Sequence, residues 1–115
     1  MMRQFGLIVL ALAGAAAPAL AADETGYQAI AAGNLAAAER GILAEQKVYG
    51  NRPELMLNLA AVYRRTGREA DARALYQRVL QRREVAMDMP SGAVVSSHEL
   101  ARRGLGTGAV QIATR

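Results

Sequence analysis

The sequence predicts an all-α protein made of helix-turn-helix repeats, a short α-solenoid closed by a C-terminal cap helix. Apolar residues recur every three or four positions between Pro53 and a Thr-Gly-Arg turn at 66–68, and again from that turn toward Arg83. Gly67 lies where a helix ends on a residue of positive φ, which glycine adopts without a side-chain clash. Shifting the chain by 34 residues aligns this helical pair with an earlier one.

Residues 1–21 have the pattern of a secretory signal peptide. Arg3 precedes an apolar run from Phe5 to Ala17, and the small residues of 19–21 form a cleavage motif for signal peptidase. The run is shorter than the ~20 residues that a bilayer-spanning helix needs. We therefore expect cleavage after Ala21 or one residue later, a periplasmic or secreted mature chain, and no stable membrane span.

Residues 22–52 are predicted to form a first, degenerate helical pair. Its leading helix is expected to begin near Asp23, with Asp23 or Thr25 as the N-cap, and to run to about Ala32. Its second helix is expected from Leu35 to about Val48. Four residues are expected on the buried face of that second helix: Leu35, Ala38, Ile42 and Tyr49.

Residues 53–88 are predicted to form the second helical pair. Gly50 ends the preceding unit, and Pro53 is a residue favoured at the first helical position. Each helix is expected to have one apolar stripe and one polar face. The predicted stripes consist of Met56, Leu59, Ala60 and Tyr63 in the first helix, and Ala72, Leu75, Tyr76, Val79 and Leu80 in the second.

The character of the sequence changes after Pro90, and residues 89–106 are predicted to form a turn and a capping helix. Ser96 and Glu99 have the spacing of a capping box that opens a short helix through Arg103. Stacked repeats need a terminal element that covers their last apolar face, and we expect residues 96–105 to do this through their two leucines. Residues 107–115 are predicted to form a flexible tail.

The sequence offers little material for catalysis or metal binding. It has no cysteine and a single histidine, His98, whereas a zinc site needs about four ligands. Ser96 and Ser97 beside His98 are typical of a helix start, since a nucleophile and its base meet across a fold. The glycines of 104–108 lack the preceding strand and following helix of a phosphate-binding loop. We predict no enzyme activity, no metal and no cofactor.

The basic residues indicate a solvated helix face more than a nucleic-acid site. Removal of Arg3 with the signal peptide lowers the net charge from +4 to +3. Many arginines lie in the second helical pair, but Glu69, Asp71 and Glu84 are interspersed among them, and few aromatic residues are free to stack on bases. We therefore expect no nucleic-acid partner, and an acidic protein or peptide is the next interpretation.

Counted from Pro53, eight residues have the sizes of the repeating pattern of tetratricopeptide repeats: Met56, Leu59, Ala60, Tyr63, Gly67, Ala72, Tyr76 and Val79. With the 34-residue period, the chain resembles the tetratricopeptide repeat (TPR) family, most closely over 53–86, less over 23–52, and not beyond 90. Glu84 replaces the proline that closes the family pattern. We therefore expect the last helix of the pair to continue for another turn, toward Met87.

The resemblance implies a partner-binding surface, because partners of TPR proteins usually lie in a concave groove lined by the first helix of each unit. The positions that correspond to this groove are Glu54, Leu57, Asn58, Ala61, Arg64 and Arg65. Leu57 and Ala61 would bury apolar surface of an extended or helical segment, or, as the alternative, pack against a neighbouring helix. Arg64 and Arg65 would pair with acidic groups of the partner. Asn58 is suitably placed for the carboxylate clamp of some family members, but the first unit lacks the matching residues.

The function implied by this resemblance is that of an exported TPR-type protein-protein interaction module or scaffold. Stacked arrays generally need about three repeats, and only two are predicted here. The alternative is therefore a self-associating structural subunit of an envelope assembly, in which the exposed apolar edge joins copies of a homo-oligomer.

Overall fold

A computed structural model describes residues 25–106 and 112–114 of the chain. The elements in chain order are α1 (Tyr27–Ala31), α2 (Leu35–Tyr49), α3 (Pro53–Arg65), α4 (Glu69–Leu80), β1 (Ala86–Asp88), β2 (Val94–Ser96) and α5 (Ser97–Leu105). The described part is mostly helical, as predicted, with one two-stranded sheet. The predicted signal peptide lies outside the described residues. Within the ranges described, no helix has the length and apolar character needed to cross a membrane.

Within each of the two pairs, α1–α2 and α3–α4, the helices are joined by a turn of the same geometry. Gly33 and Gly67 have positive φ angles of 81° and 83°. In the first turn the Asn34 N–H donates to the Ala29 carbonyl at 2.8 Å, and the corresponding bond 34 residues later is 2.7 Å long. Bonds of this kind satisfy a carbonyl that the end of the helix leaves unpaired. The 34-residue period of the sequence is therefore present in the backbone of both turns.

Helix α1 is shorter than predicted. It begins at Tyr27, and its N-cap is Gly26 with φ 75° and no side-chain cap bond, so Thr25 does not have the predicted capping role. Asp23 lies outside the described residues. A Cβ added to Gly26 would lie 2.7 Å from Ile42 Cγ1. Glycine is thus required here both by the backbone conformation and by the close approach of α2.

Helix α2 spans nearly the predicted residues and buries part of the predicted face. It begins after the N-cap Asn34, whose side chain accepts from the Ala37 N–H at 3.3 Å. Ala38 and Ile42 are buried as predicted. The prediction for Tyr49 is wrong: the residue is 54% exposed, because the end of α2 extends past the short α1, and its ring faces the Arg52 guanidinium at 5.3 Å.

Helix α3 is the centre of the fold. Pro53 is at its start, as predicted, and eight consecutive residues from Leu55 to Val62 are buried. The prediction of one apolar stripe and one polar face is therefore wrong for this helix. Helices α2, α4 and α5 all pack against it, and a helix that is surrounded by protein is apolar on all sides.

Helix α4 ends at Leu80, so the predicted continuation toward Met87 is wrong. Residues 86–88 instead form β1, which pairs antiparallel with β2 so that Asp88 lies opposite Val94. Burial alternates along this stretch: Met87 and Met89 are inside, whereas Ala86 and Asp88 are exposed. This alternation is the period of a strand, and the polar run after Leu80 offers no apolar face to continue a helix.

The strand β2 leads directly into α5, the predicted terminal helix. Ser96 is its N-cap and accepts from the Glu99 N–H at 3.0 Å, as the capping-box spacing predicted. Leu100 and Ala101 are buried against the rest of the helices. The approach of α5 to α4 is close, since a Cβ on Gly104 would lie 2.3 Å from Tyr76 Cζ.

Candidate functional site

The six predicted site residues lie along one side of α3, at the spacing of successive helical turns. Three of them are inside the protein: Leu57 is 2% exposed, and Asn58 and Ala61 are 0% exposed. For Leu57 and Ala61 this agrees with the packing alternative, and in this structure they present no free apolar strip. A partner could contact these three residues only after the segments that cover them had moved.

Asn58 connects α3 to two distant segments through their backbones. Its Nδ2 donates to the Thr25 carbonyl at 3.0 Å and to the Ala113 carbonyl at 2.8 Å, and its Oδ1 accepts from the Ala113 N–H at 2.9 Å. A primary amide has two N–H donors and a carbonyl acceptor, so it can bind the carbonyl and the N–H of one backbone residue at the same time. The polar groups of the buried Asn58 side chain are therefore all hydrogen-bonded, and two of these bonds are to the N–H and the carbonyl of Ala113.

The segment 112–114 also binds the edge of β1. The Thr114 N–H and the Thr114 hydroxyl both donate to the Asp88 carbonyl, each at 3.0 Å. The next residue, Met89, donates to the Ala93 carbonyl on the β2 side. Backbone groups of successive strand residues face opposite edges, so the Asp88 carbonyl faces away from β2. Residues 112–114, which were predicted to belong to the tail, instead lie against α3 and β1.

Arg64 stabilises the end of α5. Its Nη1 donates to the Gly104 carbonyl at 2.6 Å and its Nη2 to the Gly106 carbonyl at 3.4 Å, while its Nε lies 3.5 Å from Glu69 Oε2. Carbonyls at a helix C-terminus are unpaired and favour a cation. Burial raises the pKa of the Tyr76 phenol beside this site, and the Arg64 charge acts in the opposite direction. The Arg64 guanidinium is therefore already engaged within the chain.

Glu54 and Arg65 lie at opposite ends of α3. The Glu54 carboxylate is 2.6 Å from Arg52 Nε in the first helical turn, where a negative charge is favoured. Arg65 is the one member of the predicted set that is classed as exposed. Its charge is thus the most accessible part of the predicted surface.

On the other side of α3, an ion pair joins the two helical pairs. Arg68 Nη1 donates to Glu39 Oε2 at 3.0 Å, Arg68 Nη2 donates to the second carboxylate oxygen, and the guanidinium lies 4.4 Å from the centre of the Tyr63 ring. The hydrogen bond from Arg68 lowers the pKa of Glu39, and the same bond raises the pKa of Arg68. An open cleft of about 350 Å³ lies between α2, α3 and α4 on this side and is lined in part by Leu43 and Tyr63.

Ala113 and Asp88 are the site residues that sequence reasoning missed. Both act through backbone groups, which every residue carries, so no side-chain pattern indicates them. Asn58 did have a signal, because a polar amide on an otherwise apolar stretch of helix requires a partner when it is buried. That signal identifies the residue and says nothing of which segment it binds.

Within residues 25–106 and 112–114, no group of three or more His, Cys, Asp or Glu side chains could hold a metal ion. His98 Nε2 donates to the Arg82 carbonyl at 2.7 Å. Comparisons of the chain with protein families, with curated proteins and with solved structures found no match. The resemblance to the TPR family therefore stays a prediction that rests on the residues and on their geometry.

Proposed function

We propose that the protein is an exported, non-enzymatic interaction module of TPR type, which binds a protein or peptide segment on the inner face of α3. The inner face is defined here by Leu57, Asn58, Ala61 and Arg65, and the first three become accessible to a partner only when the segments that cover them move. The observation that supports the proposal is the repetition of one turn geometry at an interval of 34 residues, at Gly33 and Gly67. Helical pairs that repeat in this way stack side by side and bind partners on an extended surface.

The charge at the exposed end of this face, near Arg65, indicates the charge of the partner segment. Arg65 is exposed beside Arg64, and the formal net charge of the chain is +4, or +3 once Arg3 is removed with the signal peptide. A cationic rim attracts acidic segments and raises their association rate, and this attraction is screened by salt. We therefore expect an acidic partner whose binding weakens as the salt concentration rises.

The proposal is tested by crosslinking at defined positions. A photo-crosslinking amino acid is placed at position 65 in one sample and at position 83 in another, because Arg65 and Arg83 are both exposed arginines. We expect position 65 to capture a partner from an envelope extract of the source cells. Arg65→Glu should abolish binding of that partner, whereas the matched variant Arg83→Glu should retain it. Equal capture from both positions, or equal loss with both variants, would contradict the proposal.

A specific observation favours the second candidate, a self-associating subunit. The C-terminal half of α2 extends beyond the five residues of α1 and exposes apolar groups there, with Val48 71% and Leu43 38% exposed. Exposed apolar surface that repeats on identical copies favours association. Light scattering over a wide concentration range should show a mass that grows with concentration if copies join here, and Val48→Asp should prevent that growth. A constant monomer mass would contradict this candidate.

A further inference from the structure

The chain's own C-terminal segment occupies the surface that is proposed to bind a partner. Asn58 makes two hydrogen bonds to the backbone of Ala113, and the Asp88 carbonyl accepts two more from Thr114. Asn58 and the Asp88 carbonyl together are called the backbone clamp below. All but one of the donors and acceptors that the clamp contacts belong to the peptide backbone, so any extended segment of suitable shape could satisfy it.

We propose that the backbone clamp is a binding site for an extended segment with an apolar–small–hydroxyl sequence. Residues 112–114 occupy it in the free protein, and a partner segment of the same pattern binds by displacing them. This inference rests on the proposed function of the inner face as a partner-binding surface. It adds the chemical class of the ligand and a mechanism by which the chain limits its own binding.

The contacts of each residue in the segment define the pattern. Ala113 is 1% exposed, which leaves no room for a larger side chain at the central position. Both its N–H and its carbonyl are bound by Asn58, so proline is excluded there because it lacks the N–H. The hydroxyl of Thr114 donates to Asp88, which serine could also do. Ile112 is partly buried against the apolar core, which favours an apolar residue at that position.

Tethering makes the segment an effective competitor even if its contacts are weak. A segment joined to its site by a short connection has an effective concentration in the ~mM range. A separate peptide with the same contacts must exceed that concentration to displace the tethered one. The apparent affinity for a partner is therefore the intrinsic affinity multiplied by the fraction of molecules in which the clamp is open.

The test uses the full chain and a peptide of its own sequence, AVQIATR, which corresponds to residues 109–115. The peptide carries a fluorescent label, and binding is followed by anisotropy. In the variant Ala113→Arg the side chain cannot enter the buried position, so the tethered segment should leave the clamp. We expect this variant to bind the peptide at least ~10-fold more tightly than the wild-type chain does. A control peptide with arginine in place of the alanine that corresponds to Ala113 should bind to neither protein.

Two results would overturn the inference. One is a folded Ala113→Arg variant that does not bind the peptide, and the other is a wild-type chain that binds it as tightly as the variant does. Thr114→Pro, which removes the N–H donor to Asp88, is a second variant and should give the same gain. Far-UV circular dichroism checks both variants. If neither retains wild-type helicity, residues 112–114 are an inseparable part of the core, and displacement by a partner is refuted.

The outcomes also separate this inference from the proposed function. Capture of a partner at position 65 does not depend on the peptide. Loss of peptide binding with capture retained would refute the clamp as a ligand site and leave the interaction module standing. Peptide binding without any capture at position 65 would refute the interaction module and leave the clamp standing as a ligand site.

Discussion

The two helical pairs share a period and a turn geometry, but they bury very different fractions of their first helices. Helix α1 has five residues, of which Ile30 is buried, whereas α3 has thirteen residues with eight consecutive ones buried. The glycines of the two turns have nearly the same φ. Turn geometry is thus a local property that repeats with the sequence, whereas burial depends on how many neighbours a helix has.

Position in the stack explains the difference. Helix α3 lies between α2 and α4, and α5 covers a further side. The C-terminal half of α2 has no such cover among the described residues, and Val48 is exposed there. Elements with few buried apolar contacts open at a lower free-energy cost than the core does. We therefore regard α3 as the stable centre and the first pair as the weaker part of the fold. The four predictions below compare positions in the first pair with positions elsewhere in the fold.

The largest contrast is expected between two leucines. Leu55 of α3 is fully buried and Leu43 of α2 is 38% exposed. Leu55→Ala should lower the free energy of unfolding by about 2–5 kcal/mol, because it leaves a cavity in the core, and Leu43→Ala should change it by roughly 0.5 kcal/mol or less. Chemical denaturation monitored by circular dichroism measures both. Equal losses would show that α3 is not the centre of stability.

The next contrast compares two helical glycines. Gly104→Ala places a methyl group 2.3 Å from the Tyr76 ring and should cost about 1–3 kcal/mol, because α5 must move away from α4. At Gly41, in the middle of α2, an added Cβ would have no atom within 4 Å apart from its chain neighbours and the adjacent backbone of its own helix. Gly41→Ala should stabilise the protein by about 0.5–1 kcal/mol through helix propensity. Thermal unfolding of both variants should therefore show shifts of opposite sign.

Equality is the prediction for the two turn glycines. Gly33 and Gly67 both have positive φ and open space around an added Cβ, so the cost of alanine is the backbone conformation alone. Each substitution should lower the free energy of unfolding by about 1 kcal/mol. Denaturant titrations of Gly33→Ala and Gly67→Ala provide the comparison. A much smaller effect at Gly33 would mean that the first pair unfolds separately from the second.

The smallest effect is expected at the ion pair between the two helical pairs. The pKa of Glu39 is lower in the folded protein than its ordinary value of 4.5, because Arg68 donates to the carboxylate. A lowered folded pKa stabilises the protein fully above the unfolded pKa, and this contribution is lost as the pH falls through the folded pKa. Glu39→Gln should therefore lower the melting temperature slightly at neutral pH, and the difference from wild type should vanish in acid. A difference that persists at low pH would contradict this assignment.

Several features of the fold could be predicted from the sequence because they depend on neighbouring residues. Pro53 at a helix start, the turn at Gly67 and the Ser96 N-cap are set by contacts within a few positions along the chain. The failures at Tyr49 and after Leu80 have the opposite origin. Helical periodicity alone does not show that α1 is too short to cover Tyr49, nor that Met87 pairs in a strand.

The inner face of α3 divides in the same way. The sequence by itself determined that Asn58 lies in an apolar helix and that it must find polar partners if it is buried. Only the tertiary structure decided that those partners are the backbones of Thr25 and Ala113, the second of them 55 residues away. The physical reason is that the partner groups are peptide units, which are the same at every residue. Their identity as partners is therefore fixed by where the chain passes, and no side-chain pattern records it.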